Sequence, residues 1–202
     1  TGAVKVQLPL LGDFQVDNAV GVAAVCIGLG LPLSVVASGL SAMPQVPGRL
    51  ERLSTAPAVL RDYAHTPDAL QRALQSVRPF ATGRVIVVFG AGGDRDRGKR
   101  PDMGRVAASL ADVCIVTSDN PRTEDPARII DDIVAGMPRE TIVREQDRLK
   151  AITQAITMAG PDDLVLLAGK GHETYQIRGT TSHPFDEAEI VAGIVAALTA
   201  AQ

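Results

Sequence analysis

The feature that most constrains the fold is an alternation, from about residue 58 onward, between short apolar runs and longer segments with helical periodicity. Continuous β-rich apolar runs are typical of parallel strands that are buried on both faces. These runs are Val59–Tyr63, Val85–Phe89, Val113–Thr117 and Leu164–Ala168. The helical patterns between them are Pro67–Val77, Met103–Leu110, Pro126–Ala135 and Arg148–Ala159. The alternation predicts an α/β fold with a doubly wound, mostly parallel sheet.

Several of the predicted helices carry recognisable start signals. Thr66-Pro67 and Asp125-Pro126 each place a capping side chain directly before a proline at the first helical position. A last helix is predicted to open at Asp186, because Glu189 follows three residues later in a pattern close to a capping box.

The first 46 residues have a different character. Two apolar helical segments, Asp17–Leu29 and Leu33–Ala42, are separated at Pro32 and followed by the stretch MPQVPGRLE. Prolines and a glycine so close together are typical of a linker. We therefore predict a boundary here, with one segment at 1–46 and a complete domain at 47–202.

Composition excludes some functions. The net charge of −3 indicates no basic surface for nucleic acid. No apolar run is long enough to predict membrane insertion, and Cys26 and Cys114 lie in apolar runs, as core residues do. Because the chain starts without Met, we expect it to be a piece of a longer, cytosolic protein.

Polar loops follow the four predicted strands. They are Asp62–Leu70 (DYAHTPDAL), Gly90–Pro101 (GAGGDRDRGKRP), Ser118–Pro126 (SDNPRTEDP) and Ala168–Gln176 (AGKGHETYQ). Each loop alone has an ordinary structural explanation, since Thr66 and Asp125 cap helices and isolated histidines are usually structural. In a parallel sheet, however, the loops at the carboxyl ends of the strands converge on one crevice.

The charges in these loops predict a zwitterionic ligand. Arginine grips carboxylates through two parallel hydrogen bonds, and a glutamate opposite can hold an ammonium group. This chemistry recognises an amino acid. The residues that could surround it are Arg95, Arg97, Asp119, Asn120, Arg122, Lys170 and Glu173.

The loop after the second run also matches the spacing of a phosphate loop, G-x-x-x-x-G-K, from Gly93 to Lys99. The metal-binding hydroxyl that should follow the lysine is replaced by Arg100, and Asp94 and Asp96 would repel a polyphosphate. A phosphate loop is therefore disfavoured. A dinucleotide-binding G-x-G-x-x-G is disfavoured too, because Arg95 stands where its last glycine should be.

Together, DYAHTPDAL, FGAGGDRDRGKRP, TSDNPRTEDP and LLAGKGHETYQ closely resemble the C-terminal part of the MurE-type Mur ligases. These are the UDP-N-acetylmuramoyl-L-alanyl-D-glutamate–2,6-diaminopimelate ligases of peptidoglycan synthesis. The resemblance covers essentially the whole chain. It implies that 47–202 is the Rossmann-like, amino-acid-binding C-terminal domain of such a ligase. It also implies that 1–46 is the helical end of the central ATP-binding domain.

The resemblance implies an ATP-dependent amide ligase of the bacterial cytoplasm that works through an acyl phosphate. Its substrates would be meso-diaminopimelate, ATP and the UDP-N-acetylmuramoyl dipeptide. The family's phosphate loop and metal-bridging lysine do not occur in these residues. We therefore expect no catalytic residue here, expect the Mg²⁺ ligands in another part of the enzyme, and expect the isolated chain to be inactive.

The resemblance also implies individual roles. It assigns diaminopimelate binding to Arg95, Asn120, Arg122, Gly169 and Glu173, and ATP binding to Asn18, Arg49, Asp62 and His65. Gln15 departs from the asparagine that is usual in the family, and Asn18 could instead be a helix-start residue. Lys99 and Arg100 are expected to hold their loop, whereas the family motif that contains Lys170 and His172 assigns neither of them an individual role.

In the family that the chain resembles, the motif DNPR separates diaminopimelate-adding members from lysine-adding ones. Diaminopimelate carries one more carboxylate than lysine, and burying that carboxylate requires a paired cation such as Arg122. A site with a buried arginine would in turn reject lysine. A ligase that adds lysine or glutamate, and an amino-acid-binding module without catalysis, remain the alternatives.

Overall fold

The computed structural model describes residues 2–138 and 142–200. The chain divides into two compact units, Thr1–Val46 and Pro47–Gln202, which are described separately below. No helix among the described residues is both long enough and apolar enough to cross a membrane.

The first unit consists of two helices, α1 (Phe14–Gly28) and α2 (Leu33–Ser41). Ala19, Val36 and Leu40 form its small buried cluster. Helix α1 begins three residues earlier than the apolar pattern predicts, so Asn18 lies inside the helix rather than at its start. Its side-chain amide donates to Gln15 Oε1 at 3.2 Å, and the interpretation of Asn18 as a helix-start residue is therefore wrong.

The second unit is built around a six-stranded sheet, and the predicted α/β class with a mostly parallel sheet is confirmed. The strand order is β1-β2-β6-β3-β4-β5, with β1 antiparallel to β2 and all other neighbours parallel. A two-stranded antiparallel hairpin, β7–β8, stands apart from it. The strands are β1 (Glu51–Thr55), β2 (Ala58–Asp62), β3 (Val85–Phe89), β4 (Val113–Val116), β5 (Ile142–Arg144), β6 (Leu164–Ala168), β7 (Tyr175–Arg178) and β8 (Thr181–Pro184).

Five α-helices cover the two faces of this sheet. Helices α3, α4 and α5 pack side by side, whereas α6 packs against α7. The helices are α3 (Pro67–Val77), α4 (Lys99–Leu110), α5 (Pro126–Val134), α6 (Arg148–Met158) and α7 (Glu187–Ala200), with a 3-10 turn at Arg78–Phe80. The predicted caps form, since Thr66 accepts from Ala69 N and Asp125 from Ala127 N.

The core depends on the apolar runs that the sequence shows. Every residue of β3 and β6 is buried, because helices cover both faces of these two strands. Side chains alternate between the faces, so that Ile86 and Val88 pack in the cluster that contains α6 and α7 residues such as Ile152 and Val191.

Strand β6 lies between β2 and β3, although it comes last of the parallel strands in the chain. The helices α3, α4 and α5, which connect β2, β3, β4 and β5 in turn, therefore lie on one face of the sheet. The helix α6, which connects β5 back to β6, lies on the other face. The carboxyl ends of β2, β6, β3 and β4 meet at one edge, where a doubly wound sheet binds its ligands.

A buried ion pair lies directly beneath this edge. Arg148 Nε donates to Glu187 Oε1 at 2.8 Å, and both side chains are fully buried. Arg148 Nη2 also donates to the carbonyl oxygen of Ala168 at 3.0 Å, at the end of β6. The pair thereby ties the starts of α6 and α7 to the strand that centres the sheet.

We expect Arg148→Met to destabilise the second unit by about 3–5 kcal/mol, because Glu187 would keep a buried charge without its partner. The double variant Arg148→Met/Glu187→Leu should recover most of that loss, since no charge stays buried. Urea unfolding measures both effects. Lys150→Met, on the exposed side of the same helix, is the matched control and should change the free energy of unfolding by at most about 0.5 kcal/mol. A single variant as stable as this control would contradict the account.

Candidate functional site

A polar cleft of about 330 Å³ opens at the carboxyl edge of the sheet. All four polar loops contribute to it, as the sequence predicts. The cleft contains all five residues predicted for the amino acid, together with His65, which was predicted for ATP. The lining residues are Tyr63, His65, Gly92, Arg95, Asp96, Lys99, Asp119, Asn120, Arg122, Gly169 and Glu173.

Two guanidinium groups in the cleft lack carboxylate partners within the described part of the chain. Arg95 is exposed and makes no side-chain hydrogen bond or ion pair there. Arg122 Nη1 donates to the carbonyl oxygen of Gly93 at 2.9 Å and forms no ion pair with a described residue. Both side chains therefore have hydrogen-bond donors to offer to an anionic ligand.

The backbone of Arg122 is held in an unusual conformation. Its φ of +51° is in the left-handed region, which non-glycine residues rarely adopt. The hairpin keeps it there, because Arg122 N donates to Ile177 O at 3.1 Å and Gly179 N donates to Arg122 O at 2.7 Å. Gly92 leaves room for the side chain, since a Cβ on Gly92 would lie 3.0 Å from Arg122 Nη1.

The acidic side of the cleft is formed by Asp119 and Glu173. Lys170, fully buried, lies 3.4 Å from Asp119 Oδ1 and 3.7 Å from Glu173 Oε2. Burial lowers the pKa of Lys170, against the opposing effect of Asp119. Asn120 Nδ2 donates to Glu173 Oε2 at 2.9 Å, which joins the loop after β4 to the loop after β6.

Two cations predicted for the ligand do not line the cleft, and one of them, Lys170, is fully buried behind it. Arg97 is not part of the cleft, and its Nη2 pairs with Glu124 Oε2 at 3.0 Å. The prediction that Arg97 surrounds the ligand is therefore wrong. Arg97 is two residues beyond Arg95, and the intervening turn directs it toward the loop after β4.

The loop after β3 is clamped as expected by Lys99 and Arg100. Arg100 is fully buried and donates to Glu124 Oε1 at 2.9 Å and to Asp132 Oδ2 at 2.9 Å. Lys99 Nζ donates to the carbonyl oxygen of His65 at 2.8 Å, and burial lowers the pKa of Lys99. The hydrogen bonds from Arg100 lower the pKa of Glu124 to about 2.

Backbone N–H groups of the same loop donate to oxygens of the protein itself, whereas those of a phosphate loop point at the ligand. Gly93 N donates to Asn120 O, Asp94 N to Glu124 Oε1, and Gly98 N to Asp96 Oδ1. A Cβ on Gly93 would clash with the carbonyl oxygen of Pro121, so the loop packs against its neighbour rather than around a ligand.

Three of the four residues predicted for ATP lie in the second unit. Arg49 is exposed and its guanidinium carbon lies 5.0 Å from the centre of the Tyr63 ring. His65 Nδ1 is 2.8 Å from the carbonyl oxygen of Tyr63. Because a carbonyl only accepts, Nδ1 carries a hydrogen, and in the neutral ring Nε2 is free to accept one from a ligand.

Asp62 is buried, and burial raises its pKa. Its two carboxylate oxygens accept from Leu50 N and Ala64 N, both at 2.8 Å. Asp62 thus fixes the turn that carries Arg49, and any contact with a nucleotide stays a prediction. The fourth residue, Asn18, belongs to the first unit.

A protein site for Mg²⁺ needs oxygen ligands that are grouped closely in space. Across residues 2–138 and 142–200, no three His, Cys, Asp or Glu side chains are grouped so that they could hold a metal ion. The expectation that the Mg²⁺ ligands belong to another part of the enzyme stays a prediction.

Sequence reasoning missed Tyr63, Gly92, Asp96 and Lys99 as cleft residues. Tyr63 was assigned to the end of a strand, and Lys99 to holding its loop, a role that it also has. The hairpin was missed because its sequence is polar and short, although Gly179 between two strand-like segments is a weak turn signal.

The strand order and the strand-end cleft place the second unit in the class of doubly wound α/β ligand-binding domains. Residues 48–171 match the family described as Mur ligase, glutamate ligase domain. The chain belongs to this family.

Curated relatives share the name UDP-N-acetylmuramoyl-L-alanyl-D-glutamate–2,6-diaminopimelate ligase. The protein of Thermosynechococcus vestitus is 52% identical over 201 residues, which cover 94% of this chain and 40% of the relative. That of Alkalilimnicola ehrlichii is 51% identical over 192 residues, covering 94% and 39%. The chain thus spans about 40% of the length of these relatives.

Two solved structures have the same fold as this chain. A structure named as the same diaminopimelate ligase is 37% identical with a TM-score of 0.76, covering 98% of this chain and 41% of that one. The UDP-N-acetylmuramate–alanine ligase of Thermotoga maritima, at 20% identity and a TM-score of 0.70, covers 99% and 41% and shares the fold.

The pKa of Glu124 leads to a pH-dependent prediction. Because it is lowered from 4.5 to about 2, the carboxylate stabilises the fold above pH 4.5 and loses this effect as the pH falls toward 2. Glu124→Gln should therefore be less stable than the wild type at pH 7 and lose less stability on acidification. Urea midpoints measured from pH 7 to pH 2 test this. The exposed Glu189→Gln is the control and should keep the wild-type slope. If the urea midpoints of Glu124→Gln and the wild type fell in parallel with decreasing pH, the stabilising role of the Glu124 carboxylate would be contradicted.

Proposed function

We propose that the chain is the amino-acid-adding portion of an ATP-dependent amide ligase. In this proposal the ligase joins meso-2,6-diaminopimelate to UDP-N-acetylmuramoyl-L-alanyl-D-glutamate in bacterial peptidoglycan synthesis. The observation that carries the proposal is Arg122, a second guanidinium without a described carboxylate partner, held in the cleft with Arg95. The names of the curated relatives support the same substrates.

The charges of the cleft suit diaminopimelate, which has two amino and two carboxylate groups. Arg95 and Arg122 supply one guanidinium for each carboxylate, and Asp119 and Glu173 supply carboxylates for an ammonium group. Gly169, with φ of +118°, brings backbone to the cleft wall where a side chain would be strained. These residues bind and orient the amino acid.

The chemistry that we propose for the longer ligase has two steps. ATP phosphorylates the D-glutamate carboxylate and releases ADP. The neutral amine of the positioned amino acid then attacks the acyl carbon, the amide bond forms, and phosphate leaves. The described residues contribute orientation of the amine, and we assign no step to Mg²⁺.

ATP binding is proposed for Arg49 and His65, with Asp62 fixing the turn beneath Arg49, and for Asn18 of the first unit. Arg49 has a guanidinium available for phosphate, and His65 Nε2 can accept a hydrogen bond. A Mycobacterium tuberculosis folylpolyglutamate synthase described as complexed with ADP supports nucleotide use. It is 27% identical with a TM-score of 0.67 over 81% of this chain and 39% of that one. We propose the bacterial cytoplasm as the location, where ATP is available.

A lysine-adding ligase is the main alternative. It would leave Arg122 facing the distal end of lysine, which carries an ammonium group but no carboxylate, so the guanidinium would stay unpaired and oppose binding. A binding module without catalysis is the other alternative. Amide formation by the longer protein would distinguish a ligase from such a module.

Arg122→Ala should reduce kcat/KM for diaminopimelate in the full-length ligase by roughly a hundred- to several-thousand-fold. The reason is that losing one partner of a buried ion pair costs on the order of 3–5 kcal/mol. ATP affinity should barely change, because Arg49 and His65 do not depend on this side chain. Steady-state kinetics with diaminopimelate, lysine and glutamate, plus nucleotide titration, measure both parts.

The matched control is Arg128→Ala, which removes an exposed arginine of α5 that lies outside the cleft and should leave kcat/KM unchanged. An unchanged kcat/KM for diaminopimelate in Arg122→Ala would contradict the assignment of Arg122 to diaminopimelate binding. Wild-type preference for lysine would favour the alternative ligase.

The isolated chain should hydrolyse no ATP. It contains no G-K-S or G-K-T sequence, and its described residues form no metal-ligand group. Phosphate release by the purified 202-residue chain, with the full-length ligase as positive control, tests this. Release clearly above background would overturn our assignment of the catalytic machinery to other parts of the enzyme.

A further inference from the structure

Lys170 follows β6 in the motif GKGHE, and its side chain is fully buried behind the cleft rather than lining it. Its ammonium group donates to Asn120 Oδ1 at 3.0 Å and to the carbonyl oxygen of Tyr175 at 2.7 Å. It also pairs with Asp119 and Glu173 at 3.4 and 3.7 Å. One buried cation therefore contacts three segments: the loop after β4, the loop after β6 and the hairpin.

These contacts determine how Asn120 is oriented. An ammonium group has donors only, so the amide oxygen of Asn120 must face Lys170. Ile177 N donates to the same oxygen at 2.9 Å. The amide nitrogen is thereby turned toward Glu173, to which it donates at 2.9 Å. With an apolar residue in place of Lys170, the amide oxygen would keep only the Ile177 N–H, and the donor that Asn120 offers to Glu173 would be held less firmly.

The charge of Lys170 is retained at a cost. Burial disfavours an ammonium group, and two carboxylates and two oxygen acceptors offset that cost. The same carboxylates, Asp119 and Glu173, form the acidic side of the cleft. The position of Lys170 thus couples its charge to the side chains that face the ligand.

We propose that Lys170 is a positioning residue, which holds Asn120 and Glu173 in the orientation that receives the ammonium end of the amino acid. This inference rests on the proposed function, because it assumes that the cleft binds an amino acid. Lys170 itself touches no ligand and acts through its two neighbours.

A double-mutant cycle in the full-length ligase tests the coupling. Lys170→Met and Asn120→Ala are made singly and together, and kcat/KM for the amino acid that the wild type uses is measured. Lys170→Met should lower it by roughly 10–100-fold, as the loss of an orienting outer-shell partner does. The double variant should be about as impaired as the worse single variant, since both changes remove one arrangement.

Arg95→Ala provides the control cycle, because Arg95 makes no described contact with Lys170. Its effect should multiply with that of Lys170→Met. KM for ATP should stay within about twofold of the wild type in Lys170→Met, which a general loss of fold would not allow. Lys170→Arg, which keeps a cation, should retain more activity than Lys170→Met. Lys150→Met is the matched surface control.

Multiplying effects of Lys170→Met and Asn120→Ala would overturn the proposal, and so would an equal rise in KM for ATP. If Lys170→Met does not fold, the cycle is repeated with Lys170→Gln, and multiplying effects there would overturn it as well. Failure of the proposed function is recognised separately, because the wild-type enzyme would then use none of the amino acids in the panel.

Discussion

The placement of β6 between β2 and β3 is the constraint on which the rest of the second unit depends. Because β6 pairs with both strands in parallel, the loop after it is flanked by the loops after β2 and β3. The loop after β4 adjoins them on the far side of β3. A different strand order would disperse the four polar loops. The apolar, two-sided burial of β3 and β6 is what keeps this order.

Buried cations join the loops to one another, whereas the exposed Arg95 and the half-buried Arg122 remain available to a ligand. Arg100, Arg148 and Lys170 are fully buried, and each binds carboxylate or carbonyl oxygens from separate segments. Arg95 and Arg122 contact the cleft and have no described carboxylate partner. The buried groups give the loops fixed positions, and the contacts of Arg122 with Gly93 and the hairpin hold its guanidinium in place before a ligand arrives. This preorganisation reduces the entropic cost of binding.

Local sequence patterns predicted the central strands, most helices and the convergence of the strand-end loops. They could do so because strand burial and helix capping depend on residues that are close together in the sequence. Arg97 shows what local patterns do not predict. It has the same charge as Arg95 and lies in the same loop, but the turn between them places Arg95 in the cleft and Arg97 against Glu124. The hairpin and the role of Lys170 were also beyond reach. The strands of the hairpin are short and polar, and the role of Lys170 depends on a contact with Asn120, 50 positions away.

The most direct test of the central claim is a crystal structure of the full-length ligase with bound meso-diaminopimelate. The account predicts the amino acid in the strand-end cleft. One carboxylate should lie about 3 Å from the Arg122 guanidinium, and an ammonium group should face Glu173. A diaminopimelate bound elsewhere, with Arg122 facing solvent, would contradict the account.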